Sequence, residues 1–225
     1  MTQFLHVFDT ESASLEGGVV EIALAVLDDN LNVVFETESL IDPERPISPT
    51  AMGIHHITDK MVWDKPTLAE WSEITRYPFM SDNLILCGHN VAFDIRMCRS
   101  ILPEQFTALC TLKLARALWP NAPDHKLQTL RYMLGLDAGD AHRAMGDVKA
   151  CVSMLRRIRD DAGLTLADML NIVSQPMSLD TLMPFGKHKG TPLRELPRNY
   201  VSWALSPNGL TSCDPDLRAA LERLS

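Results

Sequence analysis

The chain has 225 residues, a length that suits one large domain, or a domain with a small appendage. It is 46% hydrophobic and 22% charged, which excludes a disordered chain, and no apolar run near its start is long enough to span a bilayer. Residues 1–8 carry no Lys or Arg, which excludes a secretory signal, and the net charge of −8 argues at first sight against a nucleic-acid partner.

Residues 3–8 read as a short strand that runs into Asp9. Gly17-Gly18 is a turn, and residues 19–27 are apolar and β-branched enough for a second strand. A polar turn at 28–30 leads to a third strand over 32–40, followed by a proline-rich loop over 42–49. Residues 67–77 have helical spacing, which puts Leu68, Trp71 and Ile74 on one side. An apolar strand follows at 83–87 and a helix at 92–102. Two more helices cover 112–118 and 127–134, the second capped by Gly135. Residues 144–160 predict a long helix with a stripe of Val148, Cys151, Val152, Leu155 and Ile158. Thr165 and Asp168 form a capping box for one more short helix.

The pattern breaks at Ser174-Gln175-Pro176, which divides residues 1–174 from a small C-terminal domain over 178–225. There, residues 185–190 (FGKHKG) read as a strand with a tight basic turn. Asp214, Pro215 and Asp216 read as the N-cap, first residue and acidic first turn of a helix. Its apolar face is Leu217, Leu221 and Leu224. Tyr200 and Trp203 suit a tail core better than a base-stacking platform. Early strands, then mixed helices and a strand, predict an α/β sheet with helices on both faces plus a small α+β appendage. The five cysteines (Cys87, Cys98, Cys110, Cys151, Cys213) are odd in number and lack C-x-x-C spacing. They fit free thiols in the cytoplasm, not a disulfide framework.

The charge is unevenly distributed. Residues 1–94 hold 16 acids and 4 bases, whereas residues 95–165 hold 11 bases and 7 acids. Three acidic elements stand out. Asp9 and Glu11 flank Thr10 at the end of a strand, where positions i and i+2 share a face and can serve one hard cation. Taken alone they are equally two solvated acids. Asp94 lies in the first turn of a helix, where the helix dipole favours an acid and Asn90 suits an N-cap. His142 precedes Asp147 by five positions at the start of the long helix. It is either a surface histidine or a group that takes a proton from water. A pair of carboxylates at 4 Å repels by about 4 kcal/mol at an effective dielectric near 20. If the four acids converge, a metal site is the natural reason, with two ions serving a phosphodiester displacement.

Asp9-Thr10-Glu11, Asn90-x-x-Phe93-Asp94 and His142-x-Ala144-x-x-Asp147 resemble the three motifs of the DEDDh (DnaQ-like) 3′-to-5′ exonucleases. Glu21-Ile22-Ala23 and His55-x-Ile57-Thr58 also resemble stretches of that family. Arg143 stands where the tyrosine branch of the superfamily has its tyrosine, which places the chain in the histidine branch. The resemblance implies a ribonuclease-H-like mixed five-stranded sheet. It implies two Mg²⁺ or Mn²⁺ ions held by Asp9, Glu11, Asp94 and Asp147, with Asp9 bridging, and His142 as general base. Substrate contacts would come from Thr10, Leu15, His55 and Asn90, on DNA 3′ ends, single-stranded or duplex. No membrane and no obligate protein partner are implied, and the setting would be DNA repair or recombination.

Several readings stay open. Leu15 either wedges against the last base pair or packs under its loop. His55 either lines the site or is a buried structural histidine. Lys187 and Lys189 either touch phosphate or sit on a solvated turn. The alternatives to a DNA exonuclease are an RNA 3′-end exonuclease of the ribonuclease T or oligoribonuclease kind and a polymerase-bound proofreading subunit.

Overall fold

The computed structural model describes residues 4–75, 83–136, 142–207, 209 and 214–225. Five strands form one sheet: β1 (Leu5–Ser14), β2 (Gly17–Leu27), β3 (Val33–Leu40), β4 (Ile85–Gly88) and β5 (Thr107–Cys110). Their order is β3-β2-β1-β4-β5. The first three strands are antiparallel, while β4 runs parallel to both β1 and β5, so the sheet is mixed.

The helices over the described residues are α1 (Pro49–His55), α2 (Asp59–Val62), α3 (Leu68–Thr75), α4 (Ala92–Met97), α5 (Thr111–Leu118), α6 (Leu127–Leu134), α7 (Ala144–Ala162), α8 (Leu166–Ser174), α9 (Arg198–Ala204) and α10 (Pro215–Glu222). None is long and apolar enough to cross a membrane.

Strand alternation distributes the core between the two faces of the sheet. Leu5, Val7, Ala23, Ala25, Ile85 and Cys87 point to one face, where they pack with Leu114, Leu130 and the stripe of α7. Phe8, Ile22, Leu24, Leu84 and Leu86 point to the other, toward Trp71 of α3 and Val91 and Cys98 around α4. Burial on both sides explains why β2 and β4 read as continuous apolar runs. Residues 177–224 form a separate cluster around Met183, Leu193, Tyr200, Val201, Leu217 and Leu221. This tail meets α5 through ion pairs between Arg116 and Asp214 (2.8 Å) and between Lys113 and Asp216 (3.0 Å).

Local capping chemistry matches the expectation at three places. Thr165 and Asp168 form a reciprocal capping box, Gly135 takes a left-handed conformation after α6, and Asp214 accepts from Leu217 N ahead of Pro215. Other expectations need correction. Ile74 is 75% exposed, so only Trp71 of that stripe reaches the core deeply. The helix from residue 92 ends at Met97. Residues 185–190 are turns, not a strand, and the tail's only pairing among the described residues is the bridge of Leu182 with Pro192. Strand β5 and helices α1, α2 and α9 were not foreseen. Residues 76 and 77 and Cys213 lie outside the described residues. The other four cysteines are free thiols, with Cys87, Cys98 and Cys151 buried.

Candidate active site

The site is built on β1, the central strand. Asp9 and Glu11 share one of its faces, and a β-bulge between Glu11 and Ser12 interrupts the register with β2 just beyond them. The end of β4 closes on β1 at Gly88, where an added Cβ would meet the Phe8 carbonyl oxygen at 2.8 Å. Only glycine allows that approach, and it sets the loop that leads into α4 beside Asp9.

Asp94, in the first turn of α4, is 3% exposed. Its Oδ1 accepts from Thr10 N at 3.0 Å and from Thr10 Oγ1 at 2.8 Å. Thr10 is thus committed to holding Asp94. Asn90 is not the N-cap of α4. That residue is Val91, and Asn90 takes a left-handed conformation with φ 65° just before it. Asp147 projects from the first turn of α7, which packs across β1 and β2. Gln128 of α6 donates to Asp147 Oδ1 at 2.6 Å.

One carboxylate oxygen each from Asp9, Glu11 and Asp147 lie within 4.8 Å of one another. Burial, and then the charges of Asp94, Asp147, Glu11 and Glu21, push the Asp9 carboxyl well above the usual carboxylate range. Burial and the neighbouring acids raise Glu11 to about 8. Burial raises Asp94 to about 7 despite the hydrogen bonds from Thr10. Burial raises Asp147 to about 6 against the opposing charge of His142 and the Gln128 hydrogen bond. Buried, mutually repelling carboxylates hold protons when nothing else neutralises them. An all-oxygen donor set of this charge fits a hard divalent cation.

His142 is exposed, with φ 57°, in the turn before α7. A buried partner fixes that turn. Glu21 of β2, opposite Glu11 in the register, is 2% exposed. Its carboxylate accepts from Arg143 Nε at 3.0 and 3.1 Å and from Ala144 N at 2.9 Å. Arg143, the N-cap residue of α7, has no side-chain capping bond of its own, so Glu21 caps the helix from another strand.

His55 is 3% exposed, and both its ring nitrogens are engaged with backbone. Ile57 N donates to Nδ1 at 3.0 Å, so Nε2 donates to Ser12 O at 3.3 Å. That is the arrangement of the buried structural histidine, bracing the bulge, and it leaves no ring nitrogen for a substrate. Leu15 is 71% exposed at the β1–β2 hairpin tip and does not pack under its loop. Its carbonyl accepts from Arg96 Nη2 of α4 at 3.4 Å. Lys187 and Lys189 are both exposed in the turn of the tail. Sequence reasoning attached no role to Gln128 and noted Glu21 only within a family-like stretch. Their partners lie 19 or more positions away in the chain.

A mixed sheet in this order, with carboxylates converging on its central strand, defines a nuclease of the ribonuclease-H-like class. The exonuclease family model matches residues 6–155, and the chain belongs to that family. It is 35% identical to exodeoxyribonuclease 10 of Escherichia coli (strain K12), over 97% of each chain. It is 32% identical to DNA polymerase III subunit epsilon of Treponema pallidum (strain Nichols), over 65% of this chain and 72% of the relative. Among solved structures, exonuclease X in complex with 5′ overhanging duplex DNA matches with a TM-score of 0.62 and 35% identity. That match covers 75% of this chain and 98% of the other. A second family model, for a quorum-sensing-regulated virulence factor, matches residues 175–210 of the tail.

Proposed function

We infer that the protein is a metal-dependent 3′-to-5′ exodeoxyribonuclease that releases 5′-mononucleotides from DNA 3′ ends. The observation that carries the chemistry is the meeting of Asp9, Glu11 and Asp147 oxygens within 4.8 Å in a half-buried cluster that holds its protons tightly. Similarity to exodeoxyribonuclease 10 over 97% of both chains supports DNA over RNA. Asp9, Glu11, Asp94 and Asp147 would hold two Mg²⁺ or Mn²⁺ ions. When bound, these ions supply the positive charge that the attacking and leaving oxygens of a phosphodiester displacement require.

The chain's own groups do the rest. Thr10 orients Asp94, and Gln128 orients Asp147. His142, at the solvent edge, takes the proton of the attacking water on an unprotonated ring nitrogen. Glu21 and Arg143 hold the turn from which His142 projects. Asn90 stays a substrate contact. Leu15 wedges between the last base and its partner, as apolar side chains do elsewhere. Leu15→Ala should lower activity on duplex ends several-fold relative to single strands, and an equal change on both would remove the wedge. Residues 1–174 form the exonuclease domain and 178–225 a small accessory domain. The buried free thiols suit a cytoplasmic setting.

The test is release of labelled mononucleotide from matched 3′-labelled DNA and RNA oligonucleotides with Mg²⁺ or Mn²⁺. DNA should be degraded, and chelation should stop the reaction. Equal or faster release from RNA would replace this reading with an RNA exonuclease, and no release from either would overturn it.

A further inference from the structure

A cleft of about 370 Å³ opens between the exonuclease fold and the tail. His89, Asn90 and Lys126 line one side, and Met183, Phe185 and Lys189 line the other. The volume lies within the range of small-ligand sites. Both walls are built. His89 Nε2 lies 2.7 Å from the His125 carbonyl and Nδ1 lies 3.0 Å from Thr111 Oγ1. A carbonyl only accepts, so the ring proton sits on Nε2, and the Thr111 hydroxyl shares its proton between Nδ1 and the Gly88 carbonyl at 3.3 Å. Burial lowers His89 to about 4, so its ring is held in place and uncharged at neutral pH.

On the other side, Met183 N donates to Thr191 O at 2.8 Å and Gly190 N donates to Met183 O at 2.9 Å. These bonds close residues 183–191 into a loop that presents Phe185 and Lys189. The ion pairs of Arg116 and Lys113 with the start of α10 keep the tail against α5.

The chemistry of the cleft selects its ligand. Apolar and ring surfaces suit a flat base, and two lysine ammoniums suit phosphate. Asp124 lies close enough to feel both lysines, and Arg116 is already matched by Asp214. The remaining charge balances a single phosphate, not a polyanion. Asn90 belongs to this cleft and to the loop that leads into Asp94, so the cleft opens beside the loop that positions a carboxylate of the site. A strand whose 3′ end lies at the carboxylates has only nucleotides on the 5′ side left to bind.

We propose that this cleft holds one nucleotide of the substrate strand on the 5′ side of the scissile bond, with its base against Phe185 and its phosphate between Lys126 and Lys189. The tail then completes a substrate groove that the exonuclease fold only half forms. The proposal rests on the exonuclease reading above.

The test compares the full-length protein with its Lys126→Ala/Phe185→Ala variant on two substrates. One is the p-nitrophenyl ester of thymidine 5′-monophosphate, which has no nucleotide on the 5′ side. The other is a single-stranded DNA octamer. The variant should raise KM on the octamer about tenfold, the size expected for losing one stacked base. Its kcat/KM on the ester should change less than twofold. An equal loss on both substrates, or an unchanged KM on the octamer, would overturn the cleft assignment. If the wild-type protein cleaves neither substrate, the exonuclease reading fails. The cleft is then judged by octamer binding, where the variant must still weaken Kd about tenfold.

Discussion

Asp9 and Glu11 stand on a strand paired on both sides, between two layers of helices, whereas Phe185 and Lys189 stand on a loop of the tail, whose helix α10 is tied to α5 by two ion pairs. The first region gathers like charges, and such charges separate unless the surrounding core is too stiff to let them. The second presents only a few charges against apolar walls and needs no such frame. The contrast teaches where rigidity is required: at the repelling carboxylates, and much less at the groove beside them.

The largest effect tests the stiff region. Asp9→Asn or His142→Ala should lower turnover on DNA by roughly 10²–10⁴-fold. The metal-free Asp9→Asn protein should melt no lower than wild type, because an amide takes the place of a carboxyl that must otherwise hold a proton among the other acids. A His142→Ala protein that works at the wild-type rate with Mg²⁺ would remove the general base. Next comes the clamp on the His142 turn. Glu21→Gln should lower kcat roughly tenfold, within the range of coupling seen inside one side-chain network. In a His142→Ala background the same change should cost almost nothing more. Full additivity would show that Glu21 acts on stability alone.

A third experiment reads the carboxylates through stability. Glu11 keeps its proton to about pH 8 and Asp94 to about pH 7 in the metal-free fold. Unfolded, both release it near the ordinary carboxylate value of about 4. The folded chain binds more protons across that window, so its stability is fully present at low pH and falls as pH rises toward 8. Tm should therefore drop between about pH 5 and pH 8 without metal and recover on adding Mg²⁺. A metal-free Tm that climbs over the same interval contradicts the site. The smallest effect falls on the tail. Arg116→Ala leaves Asp214 without its partner at a largely buried contact, at a cost of about 1–3 kcal/mol. Limited proteolysis should then cut the tail first, while the exonuclease fold retains its own melting transition.

Much of this arrangement is legible along the chain because it depends on neighbours a few positions apart. Thr165 with Asp168, Gly135 after α6 and Asp214 before Pro215 are local hydrogen-bonding or backbone choices. Asp9 and Glu11 follow from strand alternation, and Asp147 from the start of a helix with a clear stripe. Contacts decided by tertiary packing are not legible in that way. Thr10 meets Asp94 across 84 positions and Glu21 meets Arg143 across 122, and no local pattern in the sequence marks either pair. Strand β5 is four residues long and only Leu109 of it is fully buried, which leaves no periodicity to read. Ile74 keeps the helical spacing of a core residue but faces outward, because no described residue packs over that turn of α3. Residues 185–190 have strand-like flanks, yet their bonds close on one another through Gly186 and Gly190.

The central position of β1 also governs how the molecule breathes. Amides hydrogen-bonded in the middle of a sheet exchange with solvent only when the whole domain opens, whereas a turn such as that of His142 opens at far lower free energy. Deuterium should therefore reach the residue 142–143 backbone long before it reaches Asp9. Under mild heating the enzyme should fall silent reversibly, through a loosened turn, while its ion-holding acids are still locked in place.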